Sequence, residues 1–87
     1  MRFDVRLSRS ADRYLERVPL DVQQRVVARL EQVADDPFGA HTKPPSGPGA
    51  HRAARVGALR IVFTVDRDRR VVDVSDIGPR GQIYRNL

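Results

Sequence analysis

The stretch ARVGALRIVFTV, from Ala54 to Val65, decides the fold. It reads as a strand, a tight glycine turn and a second strand, because VGAL is long enough only for a hairpin. Side chains alternate along a strand, so Leu59, Ile61, Phe63 and Val65 share one face and Arg60, Val62 and Thr64 the other. The first set is bulkier and should meet the core. Arg60 should then emerge from the opposite face, half-surrounded by Val62 and Thr64. In the preceding strand Arg55 has the opposite parity to Arg52, which runs with Ala54 and Val56. Parity alone leaves both faces open to Arg52. The face opposite the bulky residues is the candidate site.

Upstream, FDVRL alternates Phe3, Val5 and Leu7 with polar residues, as a half-buried first strand does. Ser8 or Ser10 can cap a following helix whose apolar face is Ala11, Tyr14, Leu15 and Val18. Pro19 ends that helix and suits the opening of the next. The second helix is expected from about Asp21 to Asp35, with Val22, Val26, Leu30 and Val33 inward and Val27 and Ala34 widening the stripe. Residues 37–50, PFGAHTKPPSGPGA, hold four prolines and three glycines and read as a loop. Strands follow near 51–57, 59–66 and 71–77, the last two joined by the turn DRDRR, whose alternating charges suit a self-paired, solvated hairpin. The order is β-α-α-β-β-β. It implies an α+β fold in which a two-helix hairpin covers one face of a largely antiparallel four-stranded sheet.

The 87 residues suffice for a single domain, 1–87, with one small core. With no cysteine and only two histidines, disulfides and thiolate zinc sites are excluded and a structural metal is not expected. No apolar run is long enough to span a bilayer, and MRFDVRLSRS lacks the apolar centre of a secretory signal. The expectation is a soluble cytoplasmic protein. The net charge of +5 is uneven. Residues 1–36 balance seven arginines against seven acids, whereas residues 51–87 set eight arginines against four aspartates. That asymmetry points to a polyanionic partner, either nucleic acid or an acidic protein segment.

The ordered set RVGALRIVFTVD and VVDVSDIGPRGQIY, after the looser LSRSADRYLERV and a second helix ending in DDP, resembles the RelE/ParE superfamily of bacterial toxins from toxin–antitoxin pairs. The family pattern has an Arg-Val-Gly hairpin, an arginine three residues after the glycine, a hydrophobic strand, and a closing Gly-x-Arg segment with a tyrosine four residues on. Arg55, Val56, Gly57, Arg60, Gly78, Arg80 and Tyr84 occupy those places. For the RelE branch the resemblance implies ribosome-dependent cleavage of messenger RNA without metal or cofactor. It also implies a cognate antitoxin as partner. The ParE branch poisons DNA gyrase without catalytic side chains, and a silent, antitoxin-binding relative is a third reading. Leu59 and Phe63 stand where many members carry tyrosine, and the second-strand lysines of some RelE-type members are absent, with only Arg52 and Arg55 nearby.

Metal-free RNA cleavage attacks through the 2′-hydroxyl and needs a base, cations on the developing phosphate charge, and an acid for the leaving oxygen. Arg60 and Arg80 suit the cationic role, since a guanidinium offers a planar fork to two phosphate oxygens. The alternative for Arg60 is an ion pair with Asp73 or Asp76. Arginine, with a pKa of about 12.5 or higher, does not serve as the base. Tyr84 has three roles open to it: proton transfer, stacking on an unpaired base, or closing the lower core. His51 carries the right chemistry for an acid–base role but begins a strand beside a Gly-Pro-Gly loop, where an exposed histidine is also expected. Lys43, Arg52 and Arg55 are the candidate RNA-binding cations; solvated charges are the alternative for each.

Overall fold

A computed structural model describes residues 2–39, 42–43 and 51–79. The chain opens with β1 (Asp4–Leu7), whose alternation half-buries Phe3, Val5 and Leu7. Ser8 then caps α1 (Arg9–Arg17): its Oγ accepts from the Ala11 N–H at 3.0 Å. The same hydroxyl donates to the Ser75 carbonyl at 2.7 Å, so one side chain both starts the helix and ties it to the sheet. Pro19, which has no N–H to lose, sits immediately before α2 (Leu20–Asp35). The Gln23 Nε2 reaches back from α2 and donates to the Leu15 carbonyl at 3.0 Å, satisfying one of the last carbonyls of α1. The two-helix hairpin is therefore fixed by a side chain as well as by packing.

Four further strands follow: β2 (Thr42–Lys43), β3 (Arg52–Val56), β4 (Leu59–Asp66) and β5 (Val71–Pro79). They form one sheet in the order β1-β5-β4-β3-β2, with β1 parallel to β5 and every other pairing antiparallel. The fold is the expected α+β arrangement with five strands rather than four. The added strand lies inside the proline-rich segment read as loop: Thr42 pairs with Ala54 and Lys43 with Ala53. The buried Thr42 hydroxyl, donating to the Pro37 carbonyl at 3.0 Å, holds this short strand in register, a contact that composition does not reveal.

Ile61 and Phe63, both fully buried, meet Val26, Leu30 and Val33 of α2 and Ala11 and Leu15 of α1. Val27 is a correction. It was expected in the inner stripe but is 41% exposed, because its flank of α2 overlooks a groove beside β1 instead of the sheet. β5 carries a bulge: Val62 pairs with Asp76 and Phe63 with Val74, leaving Ser75 as the extra residue. The bulge resets the alternation, so Val72, Val74 and Ile77 all face the helices despite their mixed spacing. Arg60, Val62 and Thr64 occupy the helix-free face, as parity requires.

Candidate functional site

Gly57 opens the site. Its φ of +56° is a backbone conformation that glycine adopts readily at a tight hairpin turn. A Cβ there would lie 2.9 Å from Nη2 of Arg25, so the absence of a side chain also lets an arginine of α2 lie against the hairpin tip. The hairpin then sets Arg55 directly opposite Arg60, and Gly78 of β5 on the other side of Arg60. Like charges directly opposite on neighbouring strands repel each other. Gly78 contributes no side chain to this row.

The next row on the same face is Lys43, Ala53, Val62 and Asp76. Among the described residues β2 pairs with Ala53 and Ala54 of β3. Beside this pairing lies a cleft of about 240 Å³ lined by Arg29, Lys43, Arg55 and Arg60 together with Thr42, Ala53 and Ala54. No acidic side chain is among those lining residues. Arg60 is half-buried, its Nε shielded from solvent, whereas Arg55 and Lys43 are exposed. Partial desolvation strengthens the field of the Arg60 cation toward an anion entering the cleft. Chemically, the site can bind and polarise a phosphate group. Among the described residues its lining offers no carboxylate or imidazole for proton transfer.

The structure thus brings together three of the expected residues, Arg60, Arg55 and Lys43. Arg52 is turned to the other side. It pairs with Phe63, on the helix face, and its Nε donates to the Pro37 carbonyl at 3.1 Å while Nη2 donates to Thr42 Oγ1 at 3.0 Å. Its guanidinium also lies 5.0 Å from the centre of the Phe38 ring. These contacts make Arg52 a clamp between the segment after α2 and the start of β3. His51 is exposed and precedes Arg52, four residues or about 13 Å along the strand from Arg55. It does not line the cleft. Arg80 and Tyr84 lie outside the described residues.

Arg29 also lines the cleft, though it is not among the candidates the sequence offers, because a polar residue on a helix ordinarily faces solvent. Its Nη1 donates to Gln32 Oε1 at 2.8 Å. A signal was present: Arg25 and Arg29 are one helical turn apart, and like charges at that spacing disfavour a helix unless something offsets them.

The sequence matches the family model of the ParE toxin of type II toxin–antitoxin systems over residues 5–84. No curated protein matches it. Among solved structures, a chain of the RelBE2 toxin–antitoxin complex from Mycobacterium tuberculosis superposes with a TM-score of 0.80 at 23% identity, covering 92% of this chain and 100% of that one. A chain of the RelE–RelB complex from Pyrococcus horikoshii gives 0.80 at 20% identity over 94% and 99% of the two chains. The YoeB/ParE toxin from Agrobacterium tumefaciens gives 0.77 at 15% identity over 88% and 98%. At such identities the likeness is one of fold.

Proposed function

The chain belongs to the ParE toxin family of type II toxin–antitoxin systems, and from that premise we propose that it is a ribosome-dependent endoribonuclease that cuts messenger RNA and is silenced by a cognate antitoxin. The observation that carries this reading is the cleft in which Arg29, Lys43, Arg55 and Arg60 converge, with no acid among the described lining residues. Arg55 and Arg60 stand directly opposite on neighbouring strands, a placement of like charges that suits an anionic ligand. In the proposed reaction Arg60 forks onto the non-bridging oxygens of the scissile phosphate, while Arg55 and Lys43 hold the flanking backbone. Arg80, two residues beyond the partner of Arg60, is assigned the second cation on that phosphate. Tyr84 is assigned proton transfer or base stacking. Positioning on the ribosome supplies much of the acceleration, since the described cleft lacks a strong base.

An antitoxin suits the groove between β1 and α2, where Phe3, Val5, Leu7, Leu15, Val27 and Leu30 present apolar surface to a segment that folds on binding. The related complexes of RelE with RelB support such a partner. A second reading, a gyrase inhibitor that cuts nothing, is favoured by the ParE identity of the matching family model and by the position of His51 away from the cleft. Induced expression with separate readouts of translation, messenger integrity and DNA supercoiling tests both. Messenger cleavage with unchanged supercoiling is the expected result. Intact messenger with altered supercoiling would replace the nuclease reading with the gyrase one.

A further inference from the structure

The helix-free face changes sign across the sheet. Its row at the hairpin end is Arg55, Arg60 and Gly78, and the next is Lys43, Ala53, Val62 and Asp76. The row after that runs Thr64, Asp73 and Arg6, and the last runs Asp66, Val71 and Asp4. Cations therefore gather toward β3 and the hairpin, and carboxylates toward β5 and the β4–β5 turn. Asp76 stands where the two meet. It is two residues from Gly78, the partner of Arg60, which puts the Asp76 and Arg60 Cα atoms about 7–8 Å apart on the diagonal. The bulge at Ser75 is what turns Asp76 to this face, since regular alternation from Val72 and Val74 sends that position into the helices. Asp76 is half-buried, and Asp73, one row farther from Arg60, is exposed. The sequence offers each as an ion-pair partner for Arg60. Among the described residues, however, neither carboxylate makes an ion pair or a side-chain hydrogen bond. Aspartate is a poor strand former, and β5 is an interior strand. Asp76 gives the sheet nothing that asparagine would not, except its charge.

We propose that Asp76, supported by Asp73, is a specificity-determining residue of the cleft: its charge repels RNA that strays across β5, so a free strand binds weakly and cleavage is reserved for message held in place by the ribosome. The proposal rests on the endoribonuclease reading. The described lining of the cleft comes from α2, β2, β3 and β4, with no residue of β5 among it. A strand held there carries phosphates on either side of the scissile one. Any that turn toward β5 meet the Asp76 carboxylate within a Debye length, about 8 Å at physiological salt. Repulsion of this kind discriminates against the wrong ligand without adding a contact to the right one. Asp76 does not line the cleft, so it is not placed to take a proton from the message. A basic protein segment is the poorer reading of these carboxylates. Arg60 lies diagonal to Asp76, and Arg6 lies opposite Asp73, so both cations oppose such a segment.

The test uses a short single-stranded 2′-O-methyl oligonucleotide, which lacks the 2′-hydroxyl nucleophile and so is bound without being cut. Asp76→Asn keeps the size of the side chain and removes its charge. Affinity at about 0.05 M salt should rise about threefold to tenfold, the range for losing one repulsive charge at this distance. The gain should shrink below about twofold near 1 M salt, where charges act only within about 3 Å. Adding Asp73→Asn should raise affinity again, by a smaller factor. Glu16→Gln removes the same charge from an exposed position on α1, on the other side of the sheet, and should change affinity by less than about twofold. Cleavage of protein-free RNA should rise in step with oligonucleotide affinity. Single-turnover cleavage at saturating ribosomes should stay within about twofold, as expected for a group that does not touch the reacting phosphate. If Asp76→Asn and Glu16→Gln act alike, net charge is the cause and the proposal is overturned. Unchanged or weaker oligonucleotide binding by Asp76→Asn overturns it as well. Weaker binding of a polylysine chain with oligonucleotide affinity unmoved reassigns the carboxylates to a basic protein segment and overturns it too. Should Asp76→Asn fail to fold by circular dichroism, the exposed Asp73→Asn is read alone, with an expected gain of about twofold at low salt. A wild-type chain that leaves ribosome-bound message intact overturns the endoribonuclease reading itself, a result read separately from the oligonucleotide affinities.

Discussion

The two ends of the sheet are both rich in arginine and treat it in opposite ways. At the end formed by the β4–β5 turn, Arg52 binds the Pro37 carbonyl and Thr42, Arg67 lies 4.3 Å from the Phe38 ring centre, Arg69 pairs with Asp66 and Arg2 with Asp35. These cations are matched to an acceptor, a ring or an acid. At the hairpin end, Arg29, Lys43, Arg55 and Arg60 line one cleft with no acid among them, and two of them face each other across the strands. The difference teaches that the charge asymmetry of the last third of the chain mixes two populations. One population is tied to parts of the fold at the β4–β5 turn, and the other gathers at one cleft, where Arg55 and Arg60 stand directly opposite each other. Substitutions at the two ends should therefore separate stability from activity.

The largest separation is expected at Arg60. Arg60→Ala should reduce ribosome-dependent cleavage a hundredfold or more, the order lost with one preorganised cation, and abolish growth arrest. The variant should remain folded, because Arg60 lies on the helix-free face outside the hydrophobic core. Arg60→Lys should recover only part of the activity, since an ammonium keeps the charge and loses the fork. Full toxicity of a folded Arg60→Ala protein would sink the ribonuclease reading. Leu30→Ala, by contrast, should act wholly through the core, costing roughly 2–5 kcal/mol, and its loss of activity should track its loss of folded protein.

Arg52 should show the opposite signature. Arg52→Ala leaves the Pro37 carbonyl and the Thr42 hydroxyl without their charged donor. Hydrogen bonds to charged groups contribute about 1.5–3 kcal/mol each, and a loss in that range is expected in denaturant titration. Cleavage per folded molecule should be unchanged. A drop in activity at full stability would return Arg52 to the RNA-binding set and break the contrast between the two ends.

How much of this was legible in the sequence follows the range of the interactions. The hairpin, the helix pair and the face of Arg60 rest on alternation and helical periodicity, which are local, and each is found as expected. The strand β2 is two residues long and is held by Thr42 reaching Pro37, a contact that prolines and glycines around it conceal. The bulge at Ser75 shifts the parity of β5 and becomes visible only once Val62 and Phe63 are seen to pair with Asp76 and Val74. Parity left two faces open to Arg52, and the choice was made by the Pro37 carbonyl, which lies 15 residues away in the chain. Arg29 shows the converse: a helix arginine reads as solvated, and only the folded chain brings it to one cleft with Arg55 and Arg60.

A smaller effect probes the like-charge pair of the cleft. Arg55→Gln should stabilise the protein by up to about 1 kcal/mol, the range for relieving a like-charged cross-strand pair. The same change should weaken ribosome binding and lower its salt slope by about one, as for a single phosphate contact. Denaturant titration beside a salt series checks the two together. Destabilisation by Arg55→Gln would mean that Arg55 contributes to the sheet, and the two ends would no longer differ.

The smallest expected effect lies in the stack on Phe38, and it tests whether the matched end is matched by more than proximity. Phe38 is 39% exposed, with Arg67 at 4.3 Å and Arg52 at 5.0 Å from its ring centre. Because Arg67 is an exposed turn residue, its attraction to the ring is screened by water, and about 0.5–1 kcal/mol is the range for such contacts. Arg52 is held by its own hydrogen bonds and should not follow Arg67 away. A double-mutant cycle of Arg67→Ala with Phe38→Leu therefore isolates the pair, and a coupling of about 0.5–1 kcal/mol is expected. Toxicity should be unmoved throughout the cycle. A coupling of zero would leave Arg67 an ordinary solvated charge, and the ordering of that end would rest on Arg52, Thr42 and the Asp66 carboxylate that accepts the Asp68 and Arg69 N–H groups.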